Sequence, residues 1–91
     1  MTADRYRLRI ARAAARALAE TLPEKVAAAA YEFITGVLLD TPYRVGKMLD
    51  PPLAPLRSAR RGAYRIIYLI DEASHTVEVT AVRHRSDAYH T

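Results

Sequence analysis

The stretch Tyr64 to Ile70, YRIIYLI, constrains this chain more than any other. It is almost wholly β-branched or aromatic and reads as a central strand buried on both faces. Such a strand needs strands on either side and a layer packed over it. Yet Arg65 stands inside it, with Arg57, Arg60 and Arg61 just upstream. A long cation beside a buried strand calls for a partner. The candidates are an internal carboxylate, another protein and a phosphate.

The rest of the chain supplies the neighbours. Tyr6, Leu8 and Ile10 alternate with Arg5, Arg7 and Arg9, the period of a half-buried strand whose charged face protects a sheet edge. ARAAARALAETL is alanine-rich and helical, and Pro23 stops it or opens the next helix. Val26, Ala30, Phe33, Ile34 and Val37 then recur at helical spacing until Asp40-Thr41-Pro42. Residues 42–55 carry four prolines and Gly46 and predict a linking loop with at most a short turn. A brief strand follows over Leu56–Arg61, Gly62 turns the chain, and Thr76–Val82 pairs back on the central strand after the polar turn DEASHT. The order β-α-α-β-β-β predicts an α+β fold, a two-helix hairpin on one face of a four-stranded, mostly antiparallel sheet. The other face is left open.

At 91 residues the whole chain, 1–91, is expected to form a single domain. A hydrophobic share of 51% argues against general disorder. The absence of cysteine excludes disulfides, thiolate nucleophiles and cysteine-ligated zinc. The N-terminus is too charged for a signal peptide, and no apolar run reaches the ~20 residues of a bilayer span. A cytoplasmic protein without membrane association is the expectation.

The net charge of +4 is unevenly spread. Between residues 44 and 65, Arg44, Lys47, Arg57, Arg60, Arg61 and Arg65 face Asp50 alone. Twelve of the fourteen cations are arginine, which suits bidentate contact with phosphate or carboxylate. Arg57, Arg60, Arg61 and Arg65 therefore read either as a phosphate-binding cleft or as a strand face paired with Asp71, Glu72 and Glu78. Tyr64 and Tyr68 share a strand face and serve either to stack bases or to fill the core. The tail groups Arg83, His84, Arg85 and Tyr89 bring two cations, an imidazole and a phenol together, the makings of proton transfer. The alternative there is a frayed terminus.

His75, His84 and His90 are scattered, and no carboxylate–histidine cluster shows metal-ligand spacing. A phosphodiester-cleaving chain of this kind would act on RNA, whose 2′-hydroxyl is an intramolecular nucleophile, with no metal and no cofactor. It would need a base for that hydroxyl, cations for the phosphorane and an acid for the 5′ oxygen.

LRSARRGAYRIIYLID, followed by a strand and then HRSDAY, resembles the C-terminal half of the RelE/ParE-type toxins of bacterial type II toxin–antitoxin systems. LPEKVAAAAYEFI, the Pro42 to Gly46 turn and Lys47-Met-Leu are similar to the N-terminal half, so the likeness spans nearly the whole chain. The resemblance implies the RelE branch: a ribosome-dependent mRNA endoribonuclease neutralised in a hetero-oligomer by a RelB-like antitoxin with an amphipathic helix. By position, Arg65 matches the arginine at the scissile phosphate, Arg83 or Arg85 the tail cation, and Tyr89 the terminal tyrosine. Arg57 and Arg60 fall where the best-known members carry basic residues. Those members use lysine there, and this chain does not, so proton transfer falls to His84 and Tyr89. The rival readings are a ParE-type gyrase inhibitor of the same fold and a non-catalytic nucleic-acid-binding module.

Overall fold

A computed structural model describes residues 5–85. The elements run β1 (Arg7–Ile10), α1 (Arg12–Arg16) continuing as a π-helical turn (Ala17–Thr21), α2 (Glu24–Thr35), α3 (Val37–Asp40), β2 (Lys47–Met48), β3 (Arg57–Arg61), β4 (Tyr64–Asp71) and β5 (Thr76–His84). The sheet order is β1-β5-β4-β3-β2, so β4 is central and β1 lies at an edge. The α+β architecture is as expected, with two corrections. Residues 42–55 contribute β2, a fifth strand, whose two residues are too few to show a period. The sheet is mixed, because β1 runs parallel to β5 while the other three pairings are antiparallel. Alternation in a sequence assigns faces to a strand but not the direction of its neighbour.

Pro23 plays both anticipated parts. The first helical stretch closes with Leu22 N–H donating to Ala17 O at 3.0 Å, and α2 begins at Glu24. That helix buries Ala30, Phe33 and Ile34 against the sheet. At Gly36 the backbone leaves helical angles (φ −116°, ψ −101°), which resets the phase of the apolar stripe. Val37, expected on that stripe, is consequently 48% exposed, and Leu38 and Leu39 are buried instead.

The core lies between the helices and one face of the sheet. Ala59, Ile66, Tyr68, Val77, Val79 and Val82 supply the sheet side. Tyr68 is fully buried, and its hydroxyl donates to Pro42 O at 2.6 Å, pinning the segment after α3 to the central strand. Gly46 permits that close approach: a Cβ there would lie 2.5 Å from the Tyr68 hydroxyl and 2.7 Å from Ser58 O. Gly62, at φ +59°, makes the tight β3–β4 turn that a side chain would resist. No helix among the described residues is long and apolar enough to cross a membrane.

Candidate functional site

Register decides which arginines meet. Arg60 on β3 lies directly across from Arg65 on β4, and Arg65 lies directly across from Arg83 on β5. Opposite residues share a face, so the three arginine side chains leave the sheet in one row across three strands, on the face away from the helices. Neighbouring strands are ~4.8 Å apart, which brings like charges close together. Like charges directly opposite one another destabilise a sheet. No carboxylate of the described residues lies within 4 Å of any of the three.

The carboxylates proposed as partners for Arg65 are engaged elsewhere. Glu78 faces Arg9 at 3.9 Å. Glu72 accepts hydrogen bonds from the Tyr6 and Tyr43 hydroxyls at 2.5 and 2.6 Å. Asp71 accepts from the Ser74 backbone N–H at 3.3 Å. The internal-carboxylate answer to the position of Arg65 is thereby removed.

The row opens into a shallow cleft of about 760 Å³. Arg60, Arg65 and Arg83 line it together with Tyr64, His84 and Arg85 at the end where β5 finishes. Arg83 and His84, expected in a polar tail, belong to β5, because Arg65 and Tyr64 give them ladder partners. Arg85 follows directly, its backbone N–H donating to Ala63 O at 2.8 Å. Tyr89 lies outside the described residues.

Three further candidates sit apart from the row. Arg57 is across from Tyr68 on the helix-facing side. One of its terminal nitrogens donates to Tyr43 O at 3.1 Å and Gly46 O at 3.0 Å, and its guanidinium lies 5.3 Å from the Tyr43 ring centroid. Its Nε is buried without a hydrogen-bond partner. These contacts fasten the 43–46 segment to β3. Arg61 spreads its guanidinium over the Phe33 ring at 4.6 Å, against α2. Tyr64 borders the cleft but turns its hydroxyl away, donating to Ala29 O at 3.2 Å. Burial pushes the phenols of Tyr64 and Tyr68 above their ordinary pKa. A two-tyrosine stacking platform on the open face is therefore not formed.

Two further features belong to the open face. Lys47, in β2, is directly across from Ser58, so it stands on the same face as the arginine row. Leu49, Leu53 and Leu56 of the 49–56 loop line the same cleft as the row and form its leucine wall. Neither carries a local signal, because a two-residue strand and an irregular proline-rich loop have no period to read. Among the described residues no group of three or more His, Asp or Glu side chains gathers to hold a metal ion.

A family profile described as the ParE toxin of a type II toxin–antitoxin system, parDE, matches residues 2–89. A curated relative from Mycobacterium tuberculosis, Toxin RelE, is 49% identical over 84 residues, covering 92% of this chain and 86% of its own. A second from the same organism, Toxin RelG, is 45% identical, with 92% and 95% covered. Among solved structures, the RelBE2 toxin–antitoxin complex of M. tuberculosis contains a chain that superposes with a TM-score of 0.85 at 44% identity, over 91% of this chain and 94% of that one. The isolated Escherichia coli RelE toxin superposes with a TM-score of 0.69 at 18% identity, over 87% of this chain and 83% of that one, a likeness of fold.

Proposed function

Because this chain belongs to the RelE/ParE family of type II toxin–antitoxin toxins, in its RelE branch, we propose that the arginine row is the phosphate seat of a ribosome-dependent mRNA endoribonuclease. The observation that carries this reading is the Arg60–Arg65–Arg83 ladder, three facing cations with no carboxylate of the described residues within 4 Å. A sheet that sets like charges opposite one another gives up stability, and a bound phosphodiester recovers it. Arg65, the middle member, is flanked by an arginine on each neighbouring strand.

In the proposed reaction the 2′-oxygen attacks the adjacent phosphorus and loses its proton to a base. The bond to the 5′ oxygen breaks, leaving a 2′,3′-cyclic phosphate, and the departing 5′ oxygen takes up a proton to become a hydroxyl. The arginine row stabilises the added negative charge of the phosphorane. His84, which lines the cleft although its ladder partner Tyr64 turns to the helices, and Tyr89 are the groups of suitable chemistry for the two proton transfers. The scheme calls for no resident metal, since RNA brings its own nucleophile. The acceptor would be a message held by the ribosome in the cytoplasm, and a cognate antitoxin would block the cleft in a hetero-oligomer.

Expression without and with the antitoxin, with message ends mapped in both cultures, tests this reading. Cuts within translated messages, growth arrest, and rescue by the antitoxin are the expected results. Intact messages with altered DNA supercoiling would instead assign the chain a gyrase-directed action.

A further inference from the structure

We propose that the leucine wall of the cleft is a nucleobase seat, holding one base of the message beside the phosphate bound by the arginine row. This rests on the reading of that row as a phosphate site. Leu53 is 56% exposed, yet it is held on an ordered loop. Leu49 N–H donates to Leu56 O at 2.8 Å, Leu53 N–H to Asp50 O at 2.9 Å, and Leu56 N–H to Leu53 O at 3.0 Å. The loop thus closes on itself and presents its side chains in a fixed arrangement, facing the cleft that contains Arg60 and Arg65.

Ile67 and Ala81 line the same cleft as the leucines and the arginines. Adjacent to the arginine row, two residues along each strand, is the row Ser58–Ile67–Ala81. Two of these three are small, so a flat group can lie close to the sheet with Ile67 beneath it. Two residues of strand span ~7 Å, the scale that separates phosphate from base within one nucleotide. The aromatic rings of β4 turn to the helices, and so the seat is aliphatic. It grips a base by area and shape, with no side-chain hydrogen-bond donor on the leucines to read base edges. A purine, with more surface to cover, is held better than a pyrimidine. The nearby cations select for a nucleotide over an uncharged apolar ligand.

The test uses the full chain on translating ribosomes, with messages identical except for a purine or a pyrimidine beside the cut. Wild type, Leu53→Ser and Leu53→Met are compared by cleavage rate and melting temperature. Leu53→Ser should cut roughly tenfold more slowly, the size expected for losing one leucine's apolar contact. The loss should be greater on the purine message, with melting unchanged and with Leu53→Met restoring most of the rate. Equal slowing on both messages, or none, overturns the seat while leaving the nuclease reading intact. Normal cleavage with weakened inhibition by antitoxin would make the wall a protein-docking surface instead. A wild type that cuts neither message removes the nuclease reading and this inference with it.

Discussion

The two ends of the sheet handle charge in opposite ways. Where β4 turns into β5, Glu72 takes hydroxyl hydrogen bonds from Tyr6 and Tyr43, and the Tyr6 ring stacks on His75 with centroids 3.8 Å apart. On the adjacent strands Arg9 faces Glu78. At the far end Arg60, Arg65 and Arg83 face only one another across the ladder. Charges at the first end tie separate segments together and serve the fold. Charges at the second end oppose the fold, and in the proposed function a bound phosphodiester offsets that cost. The distinction rests on partners, since residues of both kinds are exposed.

The sharpest way to break this contrast is Arg65→Ala. Removing the middle charge relieves two facing repulsions and leaves no carboxylate of the described residues unpaired. The melting temperature should therefore stay within a few degrees of wild type or rise, while message cleavage falls by ~10²-fold or more. Thermal melts and cleavage rates on the same preparation decide it. A variant that melts well below wild type yet cuts normally per folded molecule would move Arg65 to the structural end of the comparison.

Arg57 should behave in the reverse manner. Arg57→Ala leaves the Tyr43 and Gly46 carbonyls without their donor and removes the cation from the Tyr43 ring. A loss of roughly 1–3 kcal/mol is expected, several degrees of melting temperature for a chain of this length. Gly46→Ala attacks the same junction from the other side, since its new methyl would press on the Tyr68 hydroxyl and Ser58 O. Overpacking of this sort costs about 1–3 kcal/mol. For both variants, cleavage per folded molecule should fall far less than for Arg65→Ala. Chemical denaturation alongside single-site cleavage measures the two quantities, and a stable but inactive Arg57→Ala would return that arginine to the phosphate site.

How far these roles could be read in advance differs from residue to residue. The sheet, the helical hairpin and the Gly62 turn were legible because period, helix stops and turn chemistry are local signals. The position of Arg65 was legible for the same reason, as the lone cation in an apolar strand. Arg57, Arg60 and Arg61 looked equivalent in sequence, because strand alternation says that Arg60 opposes its neighbours but not which face meets the helices. Only pairing with Tyr68 and Tyr64 shows that Arg57 and Arg61 point toward the helices. Lys47 and the leucine wall were hidden by the irregular loop that carries them. Glu72 was weighed as a partner for Arg65 because both lie near the same hairpin in sequence. The length of β4 keeps them at opposite ends.

The smallest effect expected concerns that distant end and its response to pH. Hydrogen bonds from Tyr43 first and Tyr6 second hold the Glu72 carboxyl below its ordinary value of 4.5, and the neighbouring His75 acts in the same direction. A carboxylate whose folded pKa is depressed adds stability that is present above the unfolded value and lost as pH falls through the folded one. The Tyr43 phenol is raised above 10.0, chiefly by its hydrogen bond to Glu72. That contribution is present below the unfolded value and lost as pH rises through the folded one. Glu72→Gln should therefore be modestly less stable than wild type across the neutral range. The gap between the two should narrow below pH 4.5 and again above pH 10, because the wild-type advantage disappears at both limits. Urea midpoints collected across pH test this, and a gap of constant size would show that ionisation of Glu72 contributes nothing. Cleavage at neutral pH should be the same for both proteins, since the variant leaves the arginine row untouched; a matching fall in activity would mean that the two ends of the sheet are coupled.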